Sequence, residues 1–179
     1  MYYLTTHQSP LGTLTLVCTE NALVGLWTEE QKDHGDPLLE SAVENHKMPI
    51  FDKAKKWLDA YFSGKAPAIS ELPLEPIGGK FRQDVWEILC KIPYGTVITY
   101  GDIAKQIAKK MGKETMSSQA VGGAVGHNPI SIIIPCHRVI GSNGNLTGYA
   151  GGIKTKIKLL QIEGVDMSKM FVPKKGTAL

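Results

Sequence analysis

Cys136 and His137 stand side by side in Pro135-Cys136-His137-Arg138-Val139, the one place in the 179-residue chain where a thiol adjoins an imidazole. A cysteine is a nucleophile only as its thiolate, and a free thiol with a pKa of about 8.5 is only a few per cent ionised at neutral pH. A neighbouring imidazole is a base of suitable strength, and a carboxylate is needed to orient it. In an extended segment adjacent side chains point to opposite faces. Direct contact between the two therefore needs a turn after Pro135, or a bridging water. By itself the pair is a weak signal.

The elements that must hold this pair can be read around it. Ser131–Ile134 reads as a short buried strand leading into Cys136, and Asn143-Gly144 as a turn after it. Lys154–Glu163 reads as a closing helix stopped by Gly164. Upstream, Phe81, Val85, Trp86 and Leu89 recur at helical spacing up to Pro93-Tyr94-Gly95. Thr96–Ile98 is a short strand, and Thr99 a plausible N-cap for a helix to about Lys110. Ser117 or Ser118 would cap another helix reaching about Gly126. Two helices joined by a short turn suggest a helix-turn-helix. The second of them holds Gly122, Gly123 and Gly126, each costing about 1 kcal/mol relative to alanine inside a helix. Close helix packing would justify them, and so would close approach of a nucleic-acid backbone. This helix offers Gln119 and little else that reads bases.

The first part of the chain has another character. Tyr2–Thr6, Thr13–Thr19 and Ala22–Thr28 read as a β-meander broken at Ser9-Pro10-Leu11-Gly12 and Glu20-Asn21. A polar loop runs to about Pro49, and Phe51–Ser63 has the spacing of an amphipathic helix. Ala66–Gly79, with three prolines and a Gly-Gly pair, reads as a linker. Residues 1–79 carry 6 Lys/Arg against 11 Asp/Glu, and residues 80–179 carry 14 against 6. The basic half suits a polyanion; two differently charged solvated faces are the plainer alternative. With 42% apolar and 21% charged residues, the composition is that of a globular protein. No apolar run approaches the roughly 20 residues that span a bilayer, and the N-terminal residues lack the pattern of a secretory signal. A cytoplasmic location and no membrane partner are expected. Cys18, Cys90 and Cys136, without CxxC spacing, argue against a disulfide framework and a four-cysteine zinc site.

Pro135–Val139, together with Val121-Gly122-Gly123-Ala124 and Asn128-Pro129, resembles the signature of the O6-alkylguanine-DNA alkyltransferase (methylated-DNA–protein-cysteine methyltransferase) family. The resemblance runs through Phe81–Val165 and takes in Ile92-Pro93-Tyr94-Gly95, Thr99-Tyr100-Gly101, Tyr149-Ala150-Gly151-Gly152 and Glu163-Gly164. It implies an α+β protein: a small β-sheet plus helix, ribonuclease H-like, over 1–79, and a winged helix-turn-helix domain carrying the active site over 80–179. It implies repair of double-stranded DNA by stoichiometric, irreversible transfer of the alkyl group from O6-alkylguanine, and from O4-alkylthymine, to Cys136, by a monomer without cofactor or metal. In that pattern His137 is the base, acting through a water, and Glu163 orients it. Asn128 braces the turn and orders the thiol, and Tyr100 donates to N3 of the flipped guanine. Val139 and Cys136 offer carbonyls to the guanine amino group, and Tyr149 and Ala150 line the pocket. Arg138 is structural. Ser117, Ser118, Gln119, Ala120, Gly122 and Gly123 face DNA.

Two positions depart from the pattern. Gln119 stands where the family has an arginine finger, and Ala150 where many relatives have serine. Some relatives bind zinc in the first domain; here His7, His34, His46 and Cys18 lack ligand spacing, and Cys90 reads as an inert core residue. His127 faces either solvent or a phosphate. A non-repairing, lesion-binding alkyltransferase-like module and a turning-over cysteine hydrolase are the competing readings.

Overall fold

Tyr3–Ser9 (β1) and Gly12–Cys18 (β2) pair antiparallel, from Tyr3 opposite Cys18 to Ser9 opposite Gly12, in the computed structural model, which describes residues 1–32 and 36–174. The Ser9 hydroxyl closes their turn by donating to the Gly12 carbonyl at 2.8 Å. Gly12 adopts φ +91° there, a left-handed value that costs glycine little. Leu23–Trp27 (β3) extends the meander and Val43–Glu44 (β4) joins β1 in parallel, giving the order β3-β2-β1-β4. Pro49–Phe62 (α3) turns Phe51, Ala54, Trp57, Leu58 and Tyr61 inward and packs on β1, β2 and β3. The stretch expected to be only a polar loop also holds Glu29–Lys32 (α1) and Pro37–Ser41 (α2). The carboxylate of Asp36 caps α2 by accepting from the Leu38 amide at 2.8 Å, just ahead of a proline at the first helical position, a start signal that was present in the sequence.

The expected linker is in part structured. Ile69–Glu71 makes a single 3₁₀ turn. Next, the Leu23 amide donates to the Pro73 carbonyl and the Glu75 amide to the Leu23 carbonyl, both at 2.9 Å. A proline lacks only the N–H, so its carbonyl can still serve an edge strand. By contacts the chain divides into Met1–Ile77 with Pro129–Ile133, and Gly78–Asn128 with Ile134–Leu179.

The second unit is built on Lys80–Cys90 (α4), Tyr100–Lys110 (α5) and Ser118–Gly126 (α6), which pack on one another. The indole N–H of Trp86, 1% exposed, donates to the Ala124 carbonyl at 2.9 Å and ties α4 to α6. Thr99 and Asp102 make a reciprocal capping box on α5, each side chain accepting the other's amide at 3.0 Å. Ser117, not Ser118, caps α6, accepting from the Ala120 amide at 3.2 Å. Ile98–Thr99 (β5) and Val139–Ile140 (β6) form a short parallel pair beside this helix-turn-helix, and Ile153–Ile162 (α7) closes the unit.

Ser131–Ile134 is buried as expected but is not a strand. Only Ile130 bridges to Leu26. The Ile133 amide then donates to the Ser131 carbonyl at 2.8 Å around Ile132 at φ +71°. That conformation costs a β-branched residue on the order of 1–3 kcal/mol. A run of buried apolar residues fixes burial and leaves backbone direction open. Among the described residues no helix is long and apolar enough to cross a membrane.

Candidate active site

Pro135, at φ −81° and ψ 64°, turns the chain so sharply that the Cys136 amide donates to the Ile134 carbonyl at 2.8 Å. Cys136–Arg138 continues as a 3₁₀ turn. The thiol and imidazole thus stand on a turn, the condition that adjacent side chains need in order to act together. The Asn128 side chain donates from Nδ2 to the Ile134 carbonyl at 2.9 Å and fixes the start of this turn. Cys136 is 5% exposed. Burial pushes its thiol pKa up, and hydrogen bonding from Asn128 and the charge of Lys156 pull it back in part.

Behind the thiol lies a buried polar network. His137 Nε2 bonds the Glu163 carboxylate, and neither side chain is exposed. A carboxylate only accepts, so Nε2 carries the hydrogen and Nδ1 the lone pair. The other carboxylate oxygen accepts from Arg138 Nε at 2.7 Å and from the Gly95 amide at 3.0 Å. Arg138 also donates to the Ile92 carbonyl at 2.6 Å and lies 5.7 Å from the centre of the Tyr94 ring. Burial alone would raise the pKa of Glu163, but the donors from His137, Arg138 and Gly95 hold it at about 2. Burial lowers that of His137 despite the carboxylate. The result is an anionic Glu163 balanced by Arg138, and a neutral imidazole that can take a proton. Gly95 has φ +78°, and a Cβ there would stand 3.1 Å from the Glu163 carbonyl. The Ile92-Pro93-Tyr94-Gly95 motif thus serves the carboxylate.

Tyr100, 3% exposed, begins α5 and donates its hydroxyl hydrogen to the carbonyl of Thr147 at 3.1 Å or of Gly148 at 3.3 Å. In this state that donor is in use, and a base must displace the loop carbonyls to claim it. Burial keeps the phenol protonated. A cavity of about 310 Å³ opens beside it, lined by Thr99, Tyr100, Ser118, Ser142, Asn145 and Thr147 among others. Val139 and Tyr149 are buried and Ala150 is exposed; none of the three lines that cavity. The Val139 carbonyl accepts from Lys156 Nζ at 2.5 Å. Lys156 is a buried polar side chain at this site that no motif in the sequence singles out. It shares the 156, 159, 160, 163 stripe with Leu159, Leu160 and Glu163, all buried, so helical spacing could have found it among its flanking lysines.

On α6 the first-turn residues Ser118, Gln119 and Ala120 are exposed with their cap Ser117, and Gly122 is buried. A Cβ at Gly123 or Gly126 would meet nothing within 4 Å, so internal packing does not demand glycine at either. His127 follows α6, its Nδ1 2.6 Å from the Gly123 carbonyl. In the first unit His7 bonds Asp59 at 2.7 Å, His46 bonds Thr5 at 2.7 Å, and Cys18 is buried; His34 lies outside the described residues. Among the described residues no three His, Cys, Asp or Glu side chains are grouped to hold a metal ion.

Comparison with known proteins places the chain in a family. Residues 80–165 match the model of the 6-O-methylguanine DNA methyltransferase DNA-binding domain, and residues 1–76 that of the ribonuclease-like domain of the same proteins. The chain is similar to the methylated-DNA–protein-cysteine methyltransferase of Haemophilus influenzae, at 37% identity over 91% of this chain and 87% of the relative. It is likewise similar to that of Methanosarcina acetivorans, at 42% over 92% and 99%. Among solved structures it resembles the Mycobacterium tuberculosis O6-methylguanine methyltransferase, with TM-score 0.78 and 38% identity over 98% and 97% of the two chains. It also resembles the complex of the Mycobacterium tuberculosis protein with DNA, with TM-score 0.77 and 40% identity over 94% of each. With both domain models matched in order along one chain, and a buried His137-Glu163-Arg138 network next to Cys136 within the DNA-binding one, the chain belongs to the methylated-DNA–protein-cysteine methyltransferase family.

Proposed function

We propose that this protein repairs DNA by moving the alkyl group of O6-alkylguanine, and of O4-alkylthymine, onto Cys136, once per molecule. The observation that carries the reading is the bond from His137 to a charged, fully buried Glu163 directly behind the one thiol that adjoins an imidazole. His137, through a water, takes the thiol proton, and Glu163 steadies the imidazolium that forms. The sulfur attacks the alkyl carbon in line, the S–C bond forms as the C–O6 bond breaks, and the electron pair passes into the purine. Tyr100 donates to N3 so that guanine leaves neutral. The product is a thioether with no carbonyl for water to attack, which makes the change permanent.

The target carbon lies inside a duplex, so the nucleotide must turn out of the stack at a cost of a few kcal/mol. Ser117, Ser118, Gln119, Ala120, Gly122 and Gly123 are assigned to the DNA side of α6, and the open space at Gly123 supports a close backbone approach. Val139, Tyr149 and Ala150 are assigned to the base pocket once the Thr147–Ala150 loop has yielded. We place the functional boundary near residue 79 and the protein in the reducing cytoplasm, where free thiols persist. Mass spectrometry after incubation with O6-methylguanine duplex tests the reading. One methyl per chain on Cys136 is the expected result; no adduct, or repeated turnover on an ester, overturns it.

A further inference from the structure

Lys156 is 0% exposed. Its Nζ donates to the carbonyls of Val139 at 2.5 Å and Thr147 at 2.8 Å, and lies 6.0 Å from the centre of the Tyr100 ring. An ammonium in such an interior is costly unless a countercharge meets it. The buried carboxylate at the C-terminal cap of its helix, Glu163, is already bonded to His137, Arg138 and the Gly95 amide. Among the described residues Lys156 has no ion pair with any carboxylate. The titratable groups around it are Cys136 and His137 on the 3₁₀ turn and Tyr100 on α5, with Glu163 and Arg138 bonded in turn behind His137. With His137 neutral and Arg138 set against Glu163, the site carries one surplus positive charge while Cys136 is a thiol. It is neutral when Cys136 is a thiolate.

We infer that Lys156 is the counter-ion of the Cys136 thiolate, a positioning residue whose charge sets how much thiolate the site holds and which alkylation leaves stranded. The inference rests on Cys136 being the alkyl acceptor. When the S–C bond forms, the sulfur becomes a neutral thioether and the only anion matched to Lys156 is gone. Burial already lowers the lysine to about 8, with the charge of Cys136 opposing that fall. Loss of the anion lowers it further. The ammonium then either releases its proton to solvent, leaving a neutral amine between two carbonyls, or stays charged at the expense of folded stability. Charge loss at sulfur is thereby a signal that the fold itself registers.

The experiment titrates the Cys136 thiolate by ultraviolet absorbance in wild type, Lys156→Gln and Lys156→Met, with Cys136→Ser as the blank. Glutamine keeps two N–H donors for the Val139 and Thr147 carbonyls without the charge; methionine removes both. Each variant should raise the Cys136 midpoint by at least about one pH unit, about tenfold less thiolate at neutral pH. An unchanged midpoint in folded Lys156→Gln overturns the inference, because it would assign the lysine to its hydrogen bonds alone.

A second measurement uses protein benzylated by free O6-benzylguanine, in which Cys136 no longer titrates. The unfolded lysine titrates at about 10.4, so between the depressed folded value and that one the unfolded chain holds more protons and stability rises with pH. The Tm of benzylated wild type should therefore climb from about pH 7 to 9 relative to benzylated Lys156→Gln, and parallel curves would overturn the inference. Failure of Cys136 to take up benzyl in every protein would instead strike the acceptor reading, while the thiolate titration judges Lys156 separately.

Discussion

Of the three histidine–carboxylate pairs among the described residues, two could hardly be more different in setting. His7 meets Asp59 at 2.7 Å in the first unit, where the side chains are 18% and 68% exposed. His137 meets Glu163 in the second unit, where both are 0% exposed. The groups are alike; the surroundings decide what they can do. Water screens the first pair, and such surface pairs contribute at most about 1 kcal/mol. The second pair sits where charges must be matched one by one, and it is matched by Arg138, the Gly95 amide and the turn that holds Cys136. The thiols repeat the lesson. Burial pushes Cys18 up to about 11 with nothing set against it. At Cys136 Asn128 and Lys156 oppose the same force.

The largest effect expected from this contrast is at the thiols. Cys136→Ser should abolish alkyl transfer and leave DNA binding near wild type, because a serine hydroxyl is far too weak an acid to ionise there. Cys18→Ser and Cys90→Ser should keep full stoichiometry. Transfer by Cys136→Ser, or its loss in Cys18→Ser, would break the comparison at its root.

Next comes the pair itself. Glu163→Gln should slow transfer on the order of 10²-fold with little change in DNA affinity, and should cost about 3–5 kcal/mol because Arg138 is left buried without its anion. Asp59→Asn should cost at most about 1 kcal/mol. The pH dependence has a definite sign. A carboxylate held at about 2 when folded and about 4.3 when unfolded stabilises fully above the unfolded value and is lost as pH falls between the two. Burial also depresses His137, so its loss begins earlier, as pH falls below about 6.5. Denaturant titrations at stepped pH should show wild type weakening in acid, with the Glu163→Gln variant lacking the lower part of that loss.

Much of this was legible in the residues. The β-meander, α3, the Thr99 cap, a serine cap at 117 or 118 and α7 follow from period, turn chemistry and capping, all of them local. The juxtaposition of His137 and Glu163 beside Cys136 was legible because the family motif names those positions. What escaped was non-local. Ile132–Ile134 announced burial and not the turn at φ +71°; Pro73 hid a carbonyl that pairs with β3; Lys156 was masked by the flanking Lys154 and Lys158. Nor does any pattern say that the Tyr100 hydroxyl spends its hydrogen on the Thr147–Gly148 loop before a base arrives.

Alkylation should weaken the buried site by a smaller amount. Cys136 is 5% exposed, and an added methyl overfills such a place at a cost of about 1–3 kcal/mol. The methylated protein should melt below the free thiol. An equal or higher Tm would mean that the pocket has spare room, and would weaken the contrast between a tightly matched second unit and a tolerant first one.

The smallest effect concerns a residue that is exposed yet assigned to chemistry, which is where the comparison is sharpest. Gln119 lies in the exposed first turn of α6, at the place where the family pattern puts an arginine that fills the gap left by the flipped nucleotide. Glutamine can fill and hydrogen-bond; arginine would add stacking and attraction to the phosphates. Gln119→Arg should therefore raise duplex affinity and speed repair of duplex substrate, adding at most about one unit to the salt slope of binding. Reaction with free O6-benzylguanine needs no flipping and should hardly change, because the thiol, its imidazole and Lys156 are untouched. Measuring both rates in both proteins separates the surface from the interior. If the substitution changed the free-base rate as much as the duplex rate, residue 119 would act on the pocket, and the division between a screened surface and a matched interior would not hold at α6.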